Sequence, residues 1–158
     1  MRTALKIGFS FGLTSGVITT LGLMVGLHAG THSKSVVLGG LLTIAVADAM
    51  SDALGIHIAE ESKNHGNANE IWESTLATFA AKFVIAATFA VPVLFMPLDL
   101  AVTASLVWGL SLLAVLSYAL ARAQRVPPWK VIGEHVAIGL CVVTITHYLG
   151  AWVRVTFG

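Results

Sequence analysis

The sequence is poor in charged residues, and the few it has nearly balance. Asp, Glu, Lys and Arg make up 11% of the chain and leave a formal net charge of +1, whereas a soluble domain carries about 25% charged residues. This shortage excludes an ordinary soluble globular domain, and the small net charge gives no basic surface for nucleic acid. Cys141 is the single cysteine, so no disulfide can form within the chain.

Catalytic and nucleotide-binding signatures are missing as well. The sequence contains no glycine-rich phosphate loop with its lysine, no nucleophile elbow and no zinc-protease motif. We therefore expect neither an enzyme nor an ATP-driven pump, and no bound cofactor. Transport driven by an existing gradient remains open.

What the sequence does have is long apolar runs. Hydrophobic residues make up 56% of the chain, and the mean hydropathy is +0.86. Five runs are each long enough to cross a hydrocarbon core of ~30 Å as a helix, and they lack the alternation of a membrane barrel. They are Ile7–Leu27, Val36–Ala59, Leu76–Leu98, Leu100–Ala121 and Val131–Val153. The sequence predicts an all-α, multi-pass protein of the cell membrane, with a single five-helix domain over residues 1–158 in a lipid bilayer.

Lysine and arginine flank these runs unevenly. Lys34 and Arg154 fall on one side of the predicted membrane. The others fall on the opposite side: Arg2, Lys6, Lys63, Lys82, Arg122, Arg125 and Lys130. The positive-inside rule then predicts a cytoplasmic N-terminus and an outside C-terminus. The first run is too long for a signal peptide and lacks its cleavage site, so we expect a retained helix.

Two aspartates interrupt the second apolar run. Asp48 and Asp52 are four residues apart, so they share one face of a helix, where like charges repel. A carboxylate inside a bilayer costs roughly 2.5–3.5 kcal/mol on insertion scales and usually lines an ion or proton pathway. The pair therefore favours an intramembrane cation or proton site. Protonated or hydrogen-bonded carboxyls that only hold helices together are the alternative.

Acids and a histidine follow at the predicted cytoplasmic end of the second run. Oxygen and imidazole donors suit Mn²⁺, Fe²⁺, Co²⁺ or Zn²⁺ better than alkali ions. We predict that these side chains converge between the second and third helices and gather divalent metal, and an ordinary solvated loop is the alternative. The residues are His57, Glu60, Glu61, Glu70 and Glu73.

The first run has no charge but many glycines and hydroxyls. Gly8, Gly12 and Gly16 recur every four residues, and a second row with the same spacing begins at Gly22. Such rows let membrane helices approach closely, so each row faces either a partner subunit or a helix of the same chain. Ser15, beside the first row, is predicted to face the same polar path as the two aspartates.

Several segments resemble the vacuolar iron transporter (VIT) family. The strongest are GLTSGVITTLGLM at Gly12–Met24, ADAMSDALG at Ala47–Gly55, and Glu60–Ser62. Weaker similarity extends to Pro92 and Pro97, where the family ends its third helix, and to Thr146–Gly150. The resemblance covers nearly the whole chain.

The resemblance implies a homodimer packed through the first helix, with a path near the first helices of both subunits. It also implies export of Fe²⁺ or Mn²⁺ from the cytosol in exchange for protons, so that the metal is cargo rather than cofactor. In that family the path carries an acid on the first helix. Here Ser15, Asp48 and Asp52 are the expected path residues.

Three positions depart from the family pattern. The family's first-helix acid falls on Ser15, its second-helix methionine on Asp52, and a second-helix glutamate on Ile56. The resulting all-oxygen site shifts the expected preference toward Mn²⁺ or another divalent ion. The long cytoplasmic metal-binding domain of plant members is absent from this sequence. Two other functions stay open: a carrier or channel for another cation, and a membrane scaffold subunit that transports nothing.

Overall fold

The computed structural model of the protein describes residues 3–63 and 67–158. These form five helices: α1 (Thr3–Thr31), α2 (Lys34–Glu61), α3 (Ala68–Phe95), α4 (Leu98–Gln124) and α5 (Pro128–Phe157). Each is long and apolar enough to cross a membrane, which confirms the predicted all-α class and the five candidate spans. The largest difference in bounds is at α3, which begins at Ala68 rather than Leu76, so Glu70 and Glu73 lie in its first turns.

Short connections set the direction of the helices. The Ser33 side chain caps α2 by accepting from the N–H of Val36, and Asn67 caps α3 in the same way. Arg125, at a left-handed φ of 59°, ends α4, and Pro128 opens α5 where a missing N–H costs nothing. Because the connections are short, consecutive helices run antiparallel. We call the end where α1, α3 and α5 begin the near end, and the opposite end the far end.

Proline does not end α3 in the way the resemblance implies for Pro92. This residue lies inside the helix, which continues to Phe95. The connection to α4 is Met96 and Pro97 alone, since α4 begins at Leu98. The turn therefore lies before Asp99, the single residue between the predicted runs Leu76–Leu98 and Leu100–Ala121.

Helix α1 occupies the middle of the bundle. It contacts all four other helices, while α2, α3, α4 and α5 follow one another around it. Apolar side chains from α1 to α4 form the core, among them Leu21, Leu41, Phe89 and Leu113. The ring is open on one side, because α2 and α5 share at most a marginal contact among the described residues.

Both glycine rows of α1 are used inside the chain. A Cβ added at Gly12 would lie 2.6 Å from the carbonyl oxygen of Thr78 on α3. On the second row, Gly26 faces Gly150 of α5, where an added Cβ would lie 2.1 Å from the Gly26 carbonyl oxygen. The rows therefore bring α3 and α5 against α1, and neither is a free surface for a partner subunit. Of the two readings that the spacing allowed, the structure supports contact within the chain.

Candidate functional site

A lysine fully enclosed by helices lies near the middle of α3. Lys82 is only 1% exposed, and at 1.5 Å per residue it stands ~20 Å from either end of the helix. An ammonium group is rarely buried without a counter-ion. Its partners therefore define the chemistry of this part of the protein.

The ammonium of Lys82 meets two carboxylates of α2 and a hydroxyl of α1. Its Nζ lies 2.6 Å from Oδ2 of Asp48 and pairs closely with Oδ2 of Asp52. It also donates to Oγ of Ser15 over 2.9 Å, and Ser15 in turn donates to Asp52 over 2.7 Å. We call these four residues the charged centre. The structure thus brings Ser15, Asp48 and Asp52 together, and it adds Lys82 to them.

The two carboxylates are not held equally. Asp52 accepts hydrogen bonds from both Lys82 and Ser15. Asp48 is close enough to Lys82 for an ion pair, but Oδ2 of Asp48 is buried and receives no hydrogen bond from any described residue. Asp48 is therefore held by the ion pair with Lys82 alone, whereas Asp52 has a second donor in Ser15.

The charged centre carries an uneven charge. With both carboxylates and the ammonium ionised, it holds two negative charges and one positive charge. The side chains of Asp48 and Asp52 are 26% and 21% exposed, whereas that of Lys82 is 2% exposed. The negative groups thus lie at the accessible edge, and one further positive charge there would neutralise the centre.

The first glycine row explains how Lys82 reaches this position. Gly16 lies against the Lys82 side chain, where an added Cβ would sit 3.2 Å from its Cγ. At Gly8, the start of the row, an added Cβ would lie still closer to Ser74 and Thr78, which are buried on the same face of α3. The missing side chains let α1 and α3 approach closely enough for Ser15 to reach the lysine.

Sequence reasoning missed the role of Lys82. The residue was counted among the flanking positive charges that set orientation, but its position inside α3 removes it from that count. The signal that could have found it is its place in mid-helix, because a cation within an apolar run pairs with an intramembrane acid. The sequence does not reveal which helix faces α2, so the partner could not be named.

The predicted metal-gathering mouth does not form as a cluster. Within residues 3–63 and 67–158, no group of three or more His, Cys, Asp and Glu side chains is placed to hold a metal ion. His57 instead contacts Thr75 over 2.9 Å, and Glu60 pairs with Lys63. Glu61 and Glu70 are exposed, and Glu73 is partly buried on α3. No three of these five side chains therefore share a metal site in the part of the chain that the structure describes.

Two openings lie along α1, and the lining of one of them comes within a helical turn of the charged centre. At the near end, a cleft of about 430 Å³ between α1 and α4 reaches Thr14, next to Ser15 in the chain. From the far end, a groove of about 530 Å³, lined by α1 and α5 with one residue of α2, reaches Thr19 and Ile44, one helical turn from Ser15 and Asp48. We call the second opening the α1–α5 groove. Both are lined mainly by apolar side chains.

Comparison with known proteins does not assign the chain. No protein-family model matches it, and no curated protein matches it significantly. The charged centre and the openings beside it are therefore the features from which a function can be inferred.

Proposed function

We propose that the protein is a secondary transporter that moves cations across the membrane through the charged centre, in exchange for protons. The observation that supports this most strongly is the burial of Lys82 beside two partly accessible aspartates in mid-helix. Intramembrane charges of this kind are costly and usually belong to ion or proton pathways. The groove from the far end, whose lining comes within one helical turn of Ser15, supplies one access route to the centre, and an alternately opened pathway needs a second route from the near end.

Lys82 acts in this proposal as a tethered cation. It occupies the space between Asp48 and Asp52 when no cargo is bound, so an arriving ion must take the place of the ammonium. With one of the two carboxyls protonated the centre is neutral, and a divalent ion that displaces the ammonium and releases that carboxyl proton leaves the charge unchanged. This balance favours exchange of a divalent cation against protons over uptake of the metal alone.

The cargo and direction follow from the resemblance and from the flanking charges. We propose Fe²⁺ or Mn²⁺ as cargo, with Mn²⁺ favoured because all the negative ligands are oxygen atoms. Without Lys82, the positive residues still concentrate at the near end. They are Lys6, Lys63, Arg122, Arg125 and Lys130, against Lys34 and Arg154 at the far end. The near end is therefore proposed to be cytoplasmic and transport to run outward.

Flux measurements in liposomes test this proposal. When a proton gradient is imposed, purified protein should move Mn²⁺ or Fe²⁺ in the direction opposite to the flow of protons, and a pH dye should record that proton flow. Asp52→Asn should abolish the flux, because the amide keeps the volume but removes the charge. Ser51→Asn is the matched control, since it introduces the same amide at an exposed neighbouring position and should transport normally. Wild-type flux by Asp52→Asn, or no flux above protein-free liposomes, would refute the proposal.

A second candidate is a scaffold subunit without transport activity. It is favoured by one observation, namely that Lys82 already supplies both aspartates with a counter-ion. In a scaffold the three charges only hold α2 and α3 together. The flux experiment separates the two functions, because a scaffold carries no cation while its fold remains intact.

We also propose a homodimer that packs through the first helix, but through a surface other than the glycine rows. The glycine rows are occupied, but Ile7, Phe9 and Phe11 near the start of α1 are 39%, 47% and 42% exposed. A second copy would meet α1 through these side chains. The α1–α4 cleft, which Ile7 and Phe9 also line, would then lie at the contact between subunits.

A further inference from the structure

A histidine at the far end links α1 to α5. Nδ1 of His32 lies 2.6 Å from the carbonyl oxygen of His28, and its Nε2 lies 2.9 Å from Nη1 of Arg154. A carbonyl oxygen only accepts, so Nδ1 carries the hydrogen. A guanidinium only donates, so Nε2 accepts. The two contacts together require a neutral His32 ring protonated on Nδ1.

The surroundings of His32 offer positive rather than negative charge. Asp99 of α4 lies 2.8 Å from Nε2 of His28 and is 94% exposed. The His28 ring stacks on His32 with centroids 5.1 Å apart. Lys34 of α2 donates to backbone carbonyls of the α3–α4 turn. Among the described residues, Arg154 is thus the charged group that contacts His32, and no carboxylate does.

The contact between His32 and Arg154 lies at the mouth of the α1–α5 groove. Thr31 and Val153, the neighbours of these two residues in the chain, line the groove at its far end. The contact therefore joins the two walls of the groove where it opens. Below it, the helices touch through the backbones of Gly26 and Gly150. The inner end of the groove is one helical turn from the charged centre.

We propose that His32 is a proton-binding site that controls access from the far end to the charged centre. A proton on Nε2 removes the acceptor that Arg154 uses and places a second positive charge against the guanidinium. The contact then breaks and the mouth of the groove opens. Histidine is the side chain suited to this, because its charge changes between about pH 5 and 8.

The role of His32 in transport rests on the proposed function, but the opening of the groove can be tested without it. In a proton-coupled exchanger, protons on the far side are the co-substrate, and His32 would admit them to the route when they are abundant. The opening itself is a local event. It can be measured by chemical labelling whether or not any cation is transported.

Thiol labelling measures the opening directly. In a Cys141→Ser background, Ile44→Cys reports on the inner groove, and Met96→Cys in the exposed α3–α4 turn corrects for the intrinsic pH dependence of the thiol reaction. Labelling of reconstituted protein by a membrane-impermeant maleimide is followed from the far side. The ratio of the two rates should rise about three- to fivefold between pH 8 and pH 5, the scale expected for losing one exposed charged contact.

Substitutions at and beside the contact between His32 and Arg154 identify the group responsible for the pH dependence. His32→Asn should give a low ratio at every pH, because asparagine tolerates the left-handed backbone, φ 50° at this position, and does not titrate. His32→Lys and Arg154→Gln should each give a high ratio at both pH values. His28→Asn should keep the pH dependence. A flat ratio in the wild type, or unchanged pH dependence in His32→Asn, would overturn the inference, whereas failure of cation flux alone would overturn only the proposed function.

Discussion

Nζ of Lys82 lies 2.6 Å from Oδ2 of Asp48, yet the lysine side chain is 2% exposed and the aspartate side chain 26% exposed. The cation is enclosed and its counter-ion lies at the accessible edge. An ion that approaches the charged centre therefore meets the carboxylate first. The ammonium of Lys82 is displaced only after that contact, so approach of the ion and displacement of the ammonium are separate steps.

Removing the carboxylates should destabilise the fold more than removing the lysine. Asp48→Asn with Asp52→Asn leaves a buried ammonium without a counter-ion, and we expect a loss of about 3 kcal/mol, the lower range for breaking a buried ion pair. Lys82→Met leaves two partly exposed carboxylates and should cost less. The free energy of unfolding in one detergent, followed by circular dichroism, gives both values.

Adding Lys82→Met to the double asparagine variant should restore most of the lost stability. No charge then remains in the charged centre, and methionine fills the volume of the lysine stem. A triple variant as unstable as the double variant would show that the ion pairs are not the cause.

Gly150→Ala should weaken the contact between α1 and α5. The added Cβ would stand 2.1 Å from the carbonyl oxygen of Gly26, which is backbone and cannot rotate away. We expect a loss of about 1–3 kcal/mol, as for other overpacked contacts, seen as a lower melting temperature. Gly55→Ala is the control, because a Cβ there meets nothing within 4 Å. It should gain about 0.5–1 kcal/mol from better helix propensity. Equal effects of the two substitutions would argue against the close α1–α5 contact.

If the protein transports cations as proposed, Ser15→Asp should increase its preference for divalent metal. The new carboxylate would face Lys82 and Asp52, and it would make the ionised centre more negative by one charge. The concentration of Mn²⁺ for half-maximal flux in liposomes should fall, while Ser15→Asn should not lower it. If Ser15→Asp leaves that concentration unchanged, Ser15 does not contact the bound metal.

The proposed dimer can be tested by cross-linking across the exposed start of α1. In the Cys141→Ser background, Phe9→Cys should form a disulfide-linked dimer in membranes under mild oxidation. Val107 on α4 is 64% exposed, and Val107→Cys should not form this dimer. Linkage at both positions would indicate random collision, and linkage at neither would count against a dimer through α1.

The helices could be predicted well from the sequence, and their contacts could not. Hydropathy gives the five spans, because each must fill the same thickness of hydrocarbon. The spacing of Asp48 and Asp52 gives their common face. The register of a row such as Gly8, Gly12 and Gly16 is the same whether the opposing helix belongs to the same chain or to another, so its partner depends on the tertiary structure.

The histidines at the far end show the same limit. Four residues separate His28 from His32, which describes a shared helix face and nothing more. The contact of His32 with Arg154 joins positions 122 residues apart in the chain. Which ring nitrogen of His32 carries the hydrogen follows from the atoms that the ring contacts. Local pattern therefore locates candidate residues, but it does not supply their chemistry.

The separation of 30 positions between Asp52 and Lys82 also has a consequence for biogenesis. As the chain leaves the ribosome, α2 reaches the membrane with two acids before the lysine that balances them has been made. Inserting either helix alone costs roughly 2.5–3.5 kcal/mol for each charge. We therefore expect α2 to remain at the translocon until α3 emerges. The two helices then enter the bilayer together as a hairpin in which Lys82 is paired with the aspartates.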